Sequence, residues 1–97
     1  MNSGEAASVH VLVRGRVQGI GYRWFAQQEA RRLGVTGGVR NMRDGNVEVV
    51  AEGSKDVLKQ LVEVLREGPF GADVAEVEEA WTYPSGAHGN FEIWPTR

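Results

Sequence analysis

The chain has 97 residues, with 11 Lys and Arg against 13 Asp and Glu, and a formal net charge of −2. That length suits a single domain with an adequate core, and the charge balance argues against a general polyanion binder while allowing a local basic patch. With no cysteine, disulfides, thiolate catalysis and zinc–thiolate sites are excluded, and no run approaches the ~20 apolar residues of a membrane helix.

Residues 1–7 are small and polar and lack an apolar signal core, so a flexible tail on a cytoplasmic protein is expected, followed by a single domain over residues 8–97. Residues 8–13 alternate, with Val9, Val11 and Val13 on one side, which predicts a strand with one buried face. His10 falls on the opposite side. Residues 15–21 read as loop. From Tyr22 the period changes: Tyr22, Phe25, Ala26, Ala30 and Leu33 fall at helical spacing, and Gly34 is the expected stop. Residues 35–42 are a glycine-containing strand. Asp44-Gly45 then signals a two-residue hairpin turn into a partner strand carrying Val47, Val49 and Ala51.

Ser54 is a suitable N-cap and Asp56 suits the positive end of a helix dipole. Val57, Leu58, Leu61, Val62 and Leu65 form the apolar stripe of a second helix, ended by Gly68-Pro69. Residues 74–83 read as a long strand with Ala75, Val77, Trp81 and Tyr83 in phase, which places Trp81 in the core. Residues 84–90 are turn-rich, and Phe91 and Ile93 alternate in a short last strand. The order β-α-β-β-α-β, plus that short strand, predicts an α+β ferredoxin-like sandwich: an antiparallel sheet with two helices on one face.

The segment RGRVQGIGYRWF, residues 14–25, holds three glycines and three arginines between a strand and a first helical turn. Amides at such a junction lack helical partners and sit at the positive end of the dipole, which makes an anion site. Gly15, Gly19 and Gly21 permit unusual dihedrals and close approach to a ligand. Arg23 falls on the first turn, where its planar fork suits phosphate oxygens. Neither the phosphate loop G-x-x-x-x-G-K-[ST] nor the dinucleotide fingerprint G-x-G-x-x-G is present. On loop chemistry alone two readings stand: an anion site, or a tight turn beside solvated arginines.

Gly15-Arg16-Val17-Gln18-Gly19-Ile20-Gly21-Tyr22-Arg23 resembles the acylphosphatase signature G-R-V-Q-G-V-x-[FY]-R, with Ile20 for the usual valine. Gly37-Gly38-Val39-Arg40-Asn41, followed by Gly45, Val47 and Gly53, fits a second pattern of that family, G-[aromatic]-x-x-N-x-x-x-G-x-V-x-x-x-x-x-G. Gly68-Pro69 with Val74, and Phe91-Glu92-Ile93, are also similar, so the resemblance runs from about Val9 to Ile93. Gly38 departs from the pattern: the family usually has an aromatic residue there, which bears on the packing beside the site. The resemblance implies metal-independent hydrolysis of the carboxyl–phosphate bond of acyl phosphates, without a cofactor. It implies that Arg23 and the backbone amides of Gln18, Gly19, Ile20, Gly21 and Tyr22 bind the phosphate, and that Asn41 positions the attacking water.

The residues suit that chemistry. The leaving group is a carboxylate whose conjugate acid has a pKa of roughly 4, so it departs without a general acid. What remains is positioning and charge stabilisation. A neutral Asn41 orients water without repelling a phosphate dianion. Its competing role is to prepare the hairpin turn, as asparagine often does. His10 and His88 fit no triad or metal spacing and are read as solvated or structural. Glu76, Glu78 and Glu79 are read as a solvated strand edge.

Two other functions compete. The same element order serves RNA-recognition modules, which stack bases on aromatic residues of their first and third strands. SVHVLV and NVEVVAEG carry none, and with the negative charge this argues against a nucleic-acid partner. A non-catalytic domain holding a small anion is the other. The chain ends soon after its last strand, so it is expected to stand alone as an enzyme, and as a monomer.

Overall fold

The computed structural model describes residues 4–97. Alternation builds its sheet. In β1 (Ala6–Arg16) and β3 (Val47–Ser54), the alternating residues Val9, Val11 and Val13, and Val47, Val49 and Ala51, are all fully buried. The strands pair antiparallel with Val13 opposite Val47 and Val11 opposite Val49, so both sets share one face. Val39 of β2 (Thr36–Asn41) joins that face opposite Val49. Helices α1 (Tyr22–Leu33) and α2 (Lys55–Glu67) cover it with Tyr22, Ala26 and Ala30, and with Leu58, Leu61, Val62 and Leu65. The sheet continues with β4 (Asp73–Thr82) and β5 (Phe91–Ile93), in the order β4-β1-β3-β2-β5. The ferredoxin-like sandwich expected from the sequence is therefore the observed fold.

Several details differ from the sequence reading. Ala6 and Ala7 pair with Ser54 and Gly53, so they belong to β1 rather than to the expected tail; residues 1–3 of that tail lie outside the described residues. β5 runs parallel to β2, which makes the sheet mixed rather than purely antiparallel. The cause is a crossing. β4 ends where β2 begins, at the far edge of the sheet. Residues 83–90 must traverse four strand spacings, about 19 Å, within the ~26 Å reach of eight residues. The chain then enters beside the start of β2 and runs with it. Glu52 holds the crossing segment, accepting from Ser85 N–H (2.9 Å), Ser85 Oγ (2.8 Å) and Gly86 N–H (3.0 Å). Burial pushes the Glu52 carboxyl up, but these donors outweigh it and hold it below the usual carboxylate range.

The β2–β3 connection is a three-residue loop, not a two-residue turn. Met42 N–H donates to Asn46 O and Gly45 N–H to Met42 O. A two-residue I′ turn would need positive φ at Asp44, whereas only Gly45 adopts it, at 96°. Ser54 does cap α2, although its side chain makes no capping hydrogen bond. Trp81 packs partly buried against the core, but Tyr83 lies beyond β4 and is exposed.

Candidate active site

β1 and β2 both run antiparallel to β3, so their C-terminal ends share one edge of the sheet. Val13, Val47 and Asn41 lie in one row across β1, β3 and β2. Two strand spacings, about 10 Å, still separate Asn41 from β1, and the loop after β1 must lean across β3 to reach it. The lean begins at Gly15, where the β1–β4 register shifts. A Cβ on Gly15 would lie 2.3 Å from Asp73 O and 2.7 Å from Ala75 N. Gly15 is thus required for a bulge against β4, not for approach to a ligand as expected. Gln18 completes the lean: its Nε2 donates to Met42 O and Asn46 O, both at 2.8 Å. Its side chain fastens the loop to the hairpin that carries Asn41.

The loop then turns through Gly19 and Gly21, with φ of 78° and 82°, separated by Ile20 at negative φ. A Cβ at either glycine would meet open space, so the left-handed conformation, not crowding, demands glycine. Backbone that alternates in handedness can form an anion-binding concavity. The first helical hydrogen bond of α1 is Phe25 N–H to Gly21 O, at 2.9 Å. The amides of residues 18–22 have no acceptor among the described residues. The first turn of α1 holds no acidic residue, and Arg31 and Arg32 occupy its last turn. The positive end of the dipole is therefore not neutralised by an acidic side chain of the first turn.

Tyr22 anchors this end of the helix. In α2 the Leu65 carbonyl would ordinarily accept from residue 69, but Pro69 has no N–H. The Tyr22 hydroxyl donates instead, at 2.6 Å. Burial pushes the Tyr22 phenol well above its ordinary pKa.

A cleft of about 240 Å³ opens at the loop, with Gly19, Gly21, Arg23 and Asn41 among its lining residues. Arg23 is half-buried and has no hydrogen bond or ion pair with any described residue. Arg14 and Arg40, also half-buried, pair with Glu78 and Glu48. The Asn41 side chain likewise has no partner among the described residues. Turn preparation falls to Asn46, whose N–H and Nδ2 donate to the Asp44 carboxylate. A larger groove, of about 560 Å³, lies between α2 and β4. It mixes Lys55 and Lys59 with Glu63 and Glu79, and shares no residue with the loop.

A family model described as Acylphosphatase matches residues 9–93. The chain belongs to the acylphosphatase family. An acylphosphatase of Salinibacter ruber is 43% identical over 93 residues, covering 96% of this chain and 98% of that one. One of Thermus thermophilus is 50% identical over 83 residues, covering 86% and 93%. The crystal structure of acylphosphatase from Bacillus subtilis superposes with a TM-score of 0.88 at 34% identity, covering 91% of this chain and 98% of that one.

Within this acylphosphatase fold, the packing beside Gly38 comes from the end of the chain. A Cβ on Gly38 would lie 2.1 Å from the Trp94 ring. That ring fills the space over Gly38, pinned by Trp94 N–H to Val39 O at 2.8 Å. Arg40 stacks on it at 5.3 Å and His88 lies against it at 5.7 Å. Arg40 and His10 both donate to Glu48, each at 2.6 Å. Burial pushes the Glu48 carboxyl up, yet these two donors outweigh it and hold it low. Beyond Trp94 the chain follows β2 to its end, where Arg97 N–H reaches Asn41 O at 3.1 Å.

Trp24 and Ile93 also line the cleft, and the sequence reading did not assign them to the site. Trp24 carried a signal: a large apolar residue adjoining Arg23 but off the apolar stripe of α1. Ile93 carried none, because its neighbourhood depends on β5 pairing with β2.

Proposed function

We propose that this protein is a metal-independent acylphosphatase, hydrolysing the carboxyl–phosphate bond of acyl phosphates to a carboxylate and inorganic phosphate. The observation that carries this reading is the half-buried Arg23, which shares one cleft with Asn41 and the loop and, like the loop amides, has no partner among the described residues. Arg23 and the amides of residues 18–22 hold the phosphoryl oxygens and stabilise their charge in the transition state. Asn41, a neutral donor and acceptor, orients a water for attack on phosphorus. The phosphorus–oxygen bond to the acyl group breaks as the new one forms. The electron pair leaves on a carboxylate too weakly basic to need protonation, and the water's proton leaves with phosphate or to solvent. No step requires a Lewis acid, because the leaving group is already stable as an anion.

The same reading has the protein act as a cytoplasmic monomer, without a nucleic-acid partner. One chain supplies Arg23, the amides and Asn41 together. The test is hydrolysis of benzoyl phosphate in excess chelator. Wild-type protein is expected to turn over. Arg23→Ala should lower kcat/KM by about 10³-fold through loss of a charged donor. Asn41→Ala should lower kcat about 100-fold with little change in KM, as misplaced water costs transition-state rather than ground-state binding. Phosphate binding without chelator-resistant turnover would overturn the proposal in favour of a non-catalytic anion-binding domain.

A further inference from the structure

The glycine loop and Asn41 come from different strands, and each is held by contacts of its own. In the loop, Val17 is fully buried and Ile20 packs against the core. In the hairpin after Asn41, Met42 N–H donates to Asn46 O and Gly45 N–H to Met42 O. Among the described residues, no hydrogen bond other than those of Gln18 joins residues 17–21 to residues 41–46. Gln18 is half-buried, and its side-chain nitrogen has two hydrogens to donate. It has two acceptors, Met42 O and Asn46 O, each at 2.8 Å. Those carbonyls belong to the pair that closes the hairpin, and Met42 adjoins Asn41. Gln18 therefore grips both sides of the hairpin neck from the loop that leads into Arg23.

Resting on the acylphosphatase reading, we infer that the Gln18 side chain is a positioning residue, which acts through Asn41 by setting the distance between the water it orients and the phosphoryl group in the loop. The loop holds phosphorus and Asn41 holds the nucleophile, so attack needs the two elements in register. A misplacement of about 1 Å costs about 10²-fold in rate, and two strand spacings, about 10 Å, separate β1 from β2. The dihedrals of Gly19 and Gly21 and the first turn of α1 are local to the loop. Phosphate binding by the amides and Arg23 thus does not depend on the tie, whereas the approach of water does. Loss of the tie is read in kcat rather than in KM.

The experiment measures benzoyl phosphate hydrolysis, competitive inhibition by inorganic phosphate and urea unfolding. It compares wild type, Gln18→Met, Gln18→Asn, Asn41→Ala, and Gln18→Met combined with Asn41→Ala. Gln18→Met keeps the length and removes both hydrogens; Gln18→Asn keeps the amide but is one methylene too short to hold both carbonyls. Each Gln18 variant should lower kcat about tenfold or more, while KM and the phosphate inhibition constant change by less than about threefold. Added to Asn41→Ala, Gln18→Met should lower kcat by less than about threefold further, because no oriented water is left to misplace. An unchanged kcat, a full additional loss in the Asn41→Ala background, or phosphate inhibition weakened as much as kcat overturns the positioning role while leaving the activity standing. Loss of the folded state in both Gln18 variants overturns it in favour of a purely structural tie. Wild type inert on benzoyl phosphate overturns the acylphosphatase reading, and the role of Gln18 with it.

Discussion

Gly38→Ala asks whether Trp94 fills the position where relatives of this fold are expected to carry an aromatic side chain. An ideal Cβ at Gly38 would stand 2.1 Å from Trp94 Cε2, 2.3 Å from Cζ2 and 2.4 Å from Cδ2. Non-bonded carbons pack at about 3.5–4.0 Å, so the ring must retreat by more than ~1 Å. It is pinned by its own backbone bond to Val39 and by stacking with Arg40 and His88. Gly38 has no positive φ, so the backbone itself accepts alanine, and the cost is overpacking alone. That is about 1–3 kcal/mol. At about 4–8 °C per kcal/mol for a domain of this size, Tm should fall by about 4–24 °C. In Trp94→Ala the ring is gone, and adding Gly38→Ala should be neutral or slightly stabilising, since alanine loses less entropy than glycine in a strand. Thermal and urea unfolding of wild type, both single variants and the double variant closes the cycle. A coupling of about 1 kcal/mol or more is expected. An equal cost for Gly38→Ala with and without Trp94 would refute the reasoning.

Tyr22→Phe should lower the urea midpoint with an unchanged slope. It leaves the buried Leu65 carbonyl without a donor, at about 1–3 kcal/mol; an unchanged midpoint would show that carbonyl satisfied elsewhere. The raised phenol pKa adds a second signature. Its stabilisation is complete below about pH 10 and lost as pH rises toward the folded value, so wild type should weaken in that range while Tyr22→Phe does not. Glu52 behaves oppositely. Its folded pKa is depressed, so its contribution is present above the ordinary value of 4.5 and lost as pH falls below it. Wild type should therefore exceed Glu52→Gln in Tm at pH 7, and the gap should narrow and close as the pH falls below the ordinary 4.5 and through the depressed folded value.

Much was legible without coordinates because it is local. Period-two valines and period-3.6 aliphatics set the element order, and the glycine-rich segment before Arg23 announced unpaired amides at a helix start. The motif containing Asn41 named its partner, but spacing alone left it a turn residue. In the structure the turn-preparing bonds belong to Asn46, and Gln18 ties the loop to the hairpin at Met42 and Asn46.

From the sequence by itself came the fold, the glycine-rich loop before α1 and the family resemblance, since each rests on neighbouring residues whose geometry is set within a turn or a strand. Only the tertiary structure decided the parallel pairing of β5, the Trp94 ring over Gly38 and the joining of Ile93 to Trp24. Those depend on where residues 83–90 carry the chain across the sheet. A crossing of some 19 Å brings together residues more than fifty positions apart, and no local periodicity records which glycine a distant ring will cover.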